Sequence, residues 1–144
     1  ITPNTEFYFQ LFDTFTQGDI IINEFVYDYP PSINEEYIEI RNTSNKYLNL
    51  ANWQIADNNS SSNLGSNPIP IEPDSFLVIS ADTTELSNVF GDRAYHESSF
   101  PALNNTTPDA VQLLTDTGAK ADSLTYNSDW GGTDVALERR SAST

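Results

Sequence analysis

The chain has 144 residues, and 21 Asp and Glu against 6 Lys and Arg give it a net charge of -15. This length fits one domain with an ordinary core, and the negative field repels phosphate backbones, so direct nucleic-acid binding is not expected. The absence of cysteine excludes disulfides, thiolate catalysis and Cys-ligated zinc, and no apolar run reaches the roughly 18 residues of a membrane span.

The first 17 residues differ from the rest. The stretch "EFYFQLFDTF" alternates only partly, so an additional strand and the tail of a preceding domain both remain open. We assign residues 1–17 to an N-terminal extension or linker and residues 18–144 to one domain. A start without Met and an end at "RRSAST" indicate a mature form or a piece of a longer, multidomain protein.

The remaining apolar segments are short, rich in Ile, Val, Tyr, Phe and Thr, and bounded by turn residues, which is typical of an all-β protein. Pro30 and Pro31 indicate a loop, and Gly118 suits a tight hairpin. One short helix is predicted after Asp82, with Gly91 at its end. The predicted strands suffice for a β-sandwich and lie near residues 20–27, 37–41, 47–50, 53–56, 76–80, 110–114, 121–126 and, more weakly, 135–139.

Two glutamates interrupt apolar strands. The period-two alternation of a strand places Glu24 on the face of Ile20, Ile22 and Val26, which is the apolar side. A carboxylate there must be paired or hydrogen-bonded, and structural pairing is favoured over a cation site and over catalysis. Glu39 is predicted on the opposite side from its apolar neighbours, facing solvent or a cross-strand cation, so the two acids need not converge.

Several segments in order together resemble the lamin tail domain family, in its exported bacterial form. They are "DIIINEFVYD", "EEYIEIRNTSNKYLNLANWQIAD", "SFLVISAD", "FPALNNTTPDAVQLLTDTGAKADSLTYNSDWG" and "ALERR". The resemblance implies an immunoglobulin-like β-sandwich that serves as a non-catalytic module of secreted or cell-surface proteins. The residues at family-motif positions, each interpreted as architectural, are Asn23, Glu24, Glu39, Asn42, Trp53, Asp57, Leu103, Asn104, Asn105, Asp122, Tyr126 and Trp130.

The chain departs from nuclear lamins in two respects. A heptad-patterned rod is absent from the sequence, and the domain is strongly acidic, so the DNA binding ascribed to some nuclear lamins is not expected here.

An enzyme is not predicted. His96 is the only histidine and is interpreted as a loop residue, and the sequence contains neither a Gly-x-Ser-x-Gly turn nor a phosphate-binding glycine loop. A hydrolase acting through paired carboxylates is the least favoured alternative. No cofactor is predicted. Calcium is a weak possibility at Glu24, Asp57 and Asp82, although the last two are better explained as turn and cap residues.

The tryptophans bear on ligand binding. Trp53 is predicted in the core, whereas Trp130 either closes the sandwich beside Tyr126 or is exposed next to a Gly-Gly turn. The expected function is an interaction or tethering module of a secreted or cell-surface bacterial protein, with a protein or cell-surface polymer as its unidentified partner. The alternative is a glycan-binding module, with or without calcium.

Overall fold

The computed structural model describes residues 11–29 and 35–141. This part of the chain forms eleven strands and one helix. The strands are β1 (Ile20–Val26), β2 (Tyr37–Asn42), β3 (Leu48–Asn49), β4 (Gln54–Ala56), β5 (Ser61–Asn63), β6 (Pro70–Ile71), β7 (Phe76–Ser80), β8 (Tyr95–Glu97), β9 (Asp109–Leu114), β10 (Lys120–Tyr126) and β11 (Leu137–Glu138). The helix, α1, spans Thr83–Phe90.

Two sheets build the domain. The larger has the strand order β11-β1-β2-β7-β8, the smaller has the order β10-β9-β4-β5, and β3 and β6 form a separate ribbon. All pairs are antiparallel except β7 with β8. Consequently β11 is an edge strand of the larger sheet, and β10 is an edge strand of the smaller one.

The core lies between the inner faces of the two sheets. Alternate residues of the strands point inward, as period-two geometry requires, and the ribbon and connecting loops add further apolar side chains. Its largest fully buried members are Tyr27, Tyr126, Ile20, Ile22, Ile38, Ile40, Leu48, Leu50, Ile55, Ile79 and Leu113.

The helix covers part of the outer face of the five-stranded sheet. Asp82 caps its first turn by accepting the backbone N–H of Thr84 at 2.9 Å, and Gly91 ends it with a positive φ of 73°. Leu86 is buried in a small second cluster with Val26, Tyr37 and Val78. The rest of this outer face stays uncovered by the helix. No described helix is long and apolar enough to cross a membrane.

The all-β sandwich with one short helix is confirmed, and every predicted strand has an observed counterpart. Three short strands, β5, β6 and β8, were not predicted, because Ser61–Asn63 is polar, Pro70 lacks an N–H and Tyr95–Glu97 is too short to show a pattern. The interpretation of His96 as a loop residue is wrong. It lies in β8, paired with Ile79, and its ring Nε2 is 2.6 Å from the carbonyl oxygen of Leu64.

The residues just before β1 pack on the sandwich. The N–H of Asp13 donates to the carbonyl of Tyr47 at 2.8 Å, and the ring of Phe15 meets Trp53 edge-on at 5.0 Å between centroids. The segment "EFYFQLFDTF", for which an additional strand and the tail of a preceding domain were both open, spans residues 6–15. Its first half lies outside the described residues, and residues 11–15 form no strand. The domain boundary after residue 17 remains a prediction.

Candidate functional site

A β-bulge at Asn23 decides which face of the sheet carries Glu24. Ile22 pairs with Ile40, but Glu24 pairs with Glu39, so Asn23 is an extra residue in β1 that β2 does not match. The period-two pattern therefore restarts at Glu24. The expectation that Glu24 shares a face with Ile20 and Ile22 is wrong, because the bulge turns it to the outer face.

The bulge also brings the two glutamates together. Glu24 and Glu39 are direct cross-strand neighbours, contrary to the expectation that they need not converge. Glu39 is only 7% exposed, and it accepts hydrogen bonds from the Asn23 amide at 2.9 Å and from Arg93 at 3.2 Å. Glu39 was expected to face solvent or a cross-strand cation; the structure buries it and pairs it with a cation, Arg93, that lies in the loop before β8 and not in a neighbouring strand. Glu24 accepts the hydroxyl of Tyr37 at 2.5 Å.

The environment of Tyr37 is apolar and negative. Burial raises the pKa of this phenol, and the hydrogen bond to Glu24 and the charges of Glu24 and Glu39 raise it further. Tyr37 therefore remains a neutral hydrogen-bond donor to Glu24 at any physiological pH.

A groove beside the glutamates collects the arginines of the chain. The sequence contains four arginines, Arg41, Arg93, Arg139 and Arg140, and all four line one groove of about 570 Å³ on the outer face of β1, β2 and β7. Glu24, Glu39 and Glu138 line it as well, together with the apolar side chains of Ile21, Phe76 and Val78. We call this surface the arginine groove.

The arginines differ in how firmly they are held. Arg139 is 17% exposed and donates to the carbonyl of Ile22 at 2.8 Å and to Asp122 at 2.6 Å. Arg41 pairs with the exposed Asp74, and Arg93 is half exposed beside Glu39. Arg140 is exposed and has no ion pair or hydrogen bond within the described residues.

This arrangement is suited to binding anions. A guanidinium presents planar donors that match a carboxylate in two hydrogen bonds, and an exposed ion pair such as Arg41 with Asp74 exchanges partners at small cost. The Nε–H of Arg41 is buried and has no acceptor among the described residues, so it leaves one donor of the groove unsatisfied.

Asn42 has a structural role at the end of β2. It is fully buried, and its amide donates to the carbonyls of Lys46 at 2.8 Å and Glu72 at 2.9 Å while its oxygen accepts the N–H and hydroxyl of Ser44. It thus ties the 43–46 turn to the segment that leads into β7.

Two of the acids proposed as weak calcium ligands bind backbone instead. Asp57 accepts the N–H groups of Asn59 at 2.6 Å and Ser60 at 2.5 Å, which is the geometry of a turn, and Asp82 caps α1. Glu24 accepts the hydroxyl of Tyr37. No group of three or more His, Asp or Glu side chains that could hold a metal ion occurs in residues 11–29 and 35–141.

The motif around Asn104 is organised by a buried acid that sequence reasoning missed. Asp109 is buried and accepts the backbone and side-chain N–H groups of Asn104 at 3.1 and 2.9 Å. Tyr126, in the core, donates its hydroxyl to the carbonyl of Asn104 at 2.9 Å. Leu103 is also in the core, whereas Asn105 is exposed. The sequence signal for Asp109 was its place at the start of an apolar strand.

Glu36 is the other ionisable residue that sequence reasoning missed. Burial raises its pKa to about 7, the charges of Glu35 and Asp109 add to this effect, and a hydrogen bond from the N–H of Leu103 at 2.9 Å opposes it. The carboxyl therefore titrates near neutral pH.

Asp122 links the two sheets. It accepts the N–H of Ile22 at 2.7 Å in addition to the guanidinium of Arg139. The cation that pairs with Asp122 is thus Arg139, from the residues that follow β11.

The tryptophans separate into a core residue and a surface residue. Trp53 is 4% exposed, as predicted, whereas Trp130 is 58% exposed and so does not close the sandwich. Trp130 lies in a turn and is followed by Gly131 and Gly132. These two glycines donate their N–H groups to the hydroxyl of the buried Tyr27 at 3.2 and 3.0 Å.

Two sheets that pack face to face and consist mainly of antiparallel strands are the architecture of an immunoglobulin-like β-sandwich. Residues 13–128 match the family model of the Lamin Tail Domain. Because this match covers most of the chain, the protein belongs to the lamin tail domain family, a family of non-enzymatic immunoglobulin-like domains. A search of the curated proteins found no match.

Proposed function

We propose that this domain is a non-catalytic interaction module that holds an acidic partner in the arginine groove. The partner is a protein or a cell-surface polymer, and the module tethers a larger secreted or cell-surface bacterial protein to it.

The observation that carries this proposal is the distribution of the arginines. In a chain of net charge -15, scattered arginines would be expected to pair with acids all over the surface. Instead all four line one groove, and the two lysines, Lys46 and Lys120, lie outside it. Concentrating the guanidinium groups in one place creates a local anion site that the rest of the surface does not offer.

The chemistry of the groove also restricts the partner. Three glutamates share the groove with the arginines, so a uniformly dense polyanion such as a nucleic acid meets repulsion both there and from the whole molecule. A ligand with separated carboxylates meets a guanidinium at each one and avoids the glutamates. A carboxylate-bearing partner is therefore favoured over a phosphate polymer.

Arg140→Gln tests the proposal with little risk to folding, because Arg140 is exposed and has no ion pair within the described residues. Binding to immobilised poly-glutamate is expected to weaken, since one guanidinium donor is lost, and to fall with added salt. Lys120→Gln is the matched control, because it removes one exposed positive charge outside the groove. Equal loss in both variants, or no binding by the unaltered domain, would contradict the proposal.

The surface location needs its own test. Antibody labelling of intact cells of the source bacterium is expected to detect the domain outside the cell, and detection only after lysis would rule out a surface role.

The glycan-binding alternative has one observation in its favour, the exposed Trp130. Sugar-binding sites on sandwiches commonly use several aromatic rings on one face. Among the described residues, the other strongly exposed aromatic side chains, Phe76 and Phe90, border the groove side of the sheet and not the surroundings of Trp130. An acidic partner is therefore preferred to a neutral glycan.

A further inference from the structure

We propose that the arginine groove continues around β11 into an apolar slot beside Trp130, and that the two together bind one extended acidic peptide segment carrying a single apolar anchor residue. This inference rests on the proposed function and names the partner chemistry of the same site.

The slot lies between the last strands of the two sheets. It has a volume of about 380 Å³, and its apolar lining consists of Phe25, Leu124, Trp130 and Leu137. Strand β10 borders it on one side and β11 on the other. A volume of this size holds an aromatic or large aliphatic side chain, for which exposed Trp130 supplies one wall.

The backbone of the turn that carries Trp130 is held in place on both sides of this residue. Its turn is fastened from below by Tyr27, whose hydroxyl accepts the N–H groups of Gly131 and Gly132 and donates to the carbonyl of Ser128 at 3.1 Å. Tyr27 itself is 1% exposed and belongs to the core. A turn whose backbone is already fixed loses little conformational entropy on binding, which favours Trp130 as an anchor point in a protein interface.

The groove and the slot are continuous. Both surfaces are lined by the same three residues, Asn23, Glu138 and Arg139. One extended ligand can therefore contact the groove and the slot at the same time. Arg139 stands at the junction and is immobilised by Asp122 and the Ile22 carbonyl. Because β11 contains only two residues, the ridge that separates the two surfaces is short.

A peptide fits this combined surface better than an acidic polysaccharide. An acidic polysaccharide places a carboxylate on successive sugars and has no apolar side chain for the slot. The groove contains Glu24, Glu39 and Glu138 as well as the arginines, which suits acidic residues separated by neutral ones better than a continuous run of acids. The charge of the groove and the apolarity of the slot therefore both match a peptide.

The experiment uses the whole domain and a fluorescently labelled peptide of about ten residues, long enough to reach roughly 33 Å when extended. The peptide contains spaced Glu residues and one Phe. A second peptide has Gln at each Glu position, a third has Ser in place of Phe, and polygalacturonate represents the acidic polysaccharides. Affinity is measured by fluorescence polarisation at low and moderate salt. Intrinsic tryptophan emission adds a local signal, because Trp53 is buried and Trp130 is exposed.

Two variants separate the groove from the slot. Arg140→Gln is expected to weaken binding of the first peptide by about threefold to fivefold, which is the effect of one exposed charge pair. Trp130→Ser is expected to weaken it by at least about tenfold, as for an interface anchor. The controls are Lys120→Gln for charge and Val89→Ser for loss of an exposed apolar side chain, and both residues lie outside the site. Thermal melts of every variant verify that it folds.

The outcomes distinguish the two proposals. Tighter binding of the first peptide than of the other two, with loss in both site variants, supports the inference. If the peptide with Ser binds as well as the one with Phe, or if Trp130→Ser has no effect, the slot does not bind an anchor residue and the inference is wrong. An effect of Arg140→Gln would still support the proposed function in that case. If polygalacturonate binds and none of the peptides does, a peptide is not the partner and the inference is wrong. If no binding depends on the arginines, both proposals are wrong.

Discussion

A single buried amide, that of Asn42, joins two separate segments of the chain, the 43–46 turn and residues 71–72. Its oxygen and nitrogen contact the 43–46 turn, and the nitrogen also reaches the carbonyls of Ile71 and Glu72. An apolar side chain at this position would leave several buried backbone groups without partners. Local side-chain bonds of this kind maintain the loop geometry between strands of the sandwich.

Asn42→Ala is expected to lower the free energy of unfolding by about 2–3 kcal/mol, because buried carbonyls lose their donor. Urea denaturation followed by tryptophan fluorescence measures this loss. Asn45→Ala in the same turn is the control, since Asn45 is exposed and should change stability little. Equal stability of the two variants would show that Asn42 does not hold the turn.

Glu36 makes stability depend on pH. Its folded-state pKa of about 7 lies above the ordinary value of 4.5, so between these values the folded state binds more protons than the unfolded state. The contribution of Glu36 to the free energy of unfolding therefore falls as pH rises from 4.5 to 7. Above pH 7 the carboxylate is charged in both states, and the full cost of burying its charge lowers stability.

Glu36→Gln is expected to raise the melting temperature at about pH 8 and to change it little at about pH 4.5, since the amide imitates the protonated carboxyl and still accepts the Leu103 N–H. Calorimetric melts across this range test the prediction. Glu72→Gln, at an exposed position, controls for the general effect of removing one negative charge. A stabilisation independent of pH would contradict the assigned titration.

At the scale of the element, the bulge in β1 gives one strand two functions. Before Asn23, the strand sends Ile20 and Ile22 into the core, and after it Phe25 takes the inner position. Glu24 is thereby displayed outward, next to Glu39 and the arginine groove. Because Asn23 is accommodated as a bulge and not as a regular strand residue, the strand contributes Glu24 to the wall of the candidate site.

Deleting Asn23 tests this role. The deletion makes β1 regular, with Glu24 directly after Ile22 and still on the outer face, but it removes the bulge and the bonds of Asn23 to Glu39 and to the N–H of Arg139. The free energy of unfolding is therefore expected to fall by about 2–3 kcal/mol, because strand β11 loses a backbone acceptor and the twist of β1 changes. Asn23→Ala keeps the residue count and loses only the bond to Glu39, with an expected cost of about 1 kcal/mol. Circular dichroism and thermal melts compare the two. A deletion variant as stable as the alanine variant would show that the register adapts without the bulge.

At the scale of the whole molecule, charge is the dominant property. A net charge of -15 on 144 residues produces self-repulsion in the compact state, whereas the described ion pairs are few. Salt screens this repulsion more than it weakens those pairs.

Raising sodium chloride from about 20 mM to about 300 mM, which shortens the screening length from roughly 20 Å to under 10 Å, is expected to raise the melting temperature by a few degrees. Differential scanning fluorimetry at fixed pH measures the melting temperature. An uncharged osmolyte at equal osmolality is the control for effects that do not come from charge screening. A lower melting temperature in salt would mean that the ion pairs outweigh the net repulsion.

The sequence by itself determined the class of fold. Short β-branched and aromatic segments separated by Pro, Asn and Gly predicted the all-β sandwich, the Asp82 and Gly91 caps predicted the helix, and the ordered motifs predicted the family. These features depend on local propensity and on spacing along the chain, which a single sequence displays directly.

Only the tertiary structure decided the face of Glu24, the partner of Asp122, the exposure of Trp130 and the gathering of four arginines in one groove. Arg41, Arg93 and Arg139 are far apart in the chain, and strand pairing alone brings them together. A bulge has no consistent sequence signature, yet one residue of register reverses every side chain that follows it. The core could therefore be predicted from periodicity, whereas the candidate site depends on register and strand order, which arise only when distant segments pair.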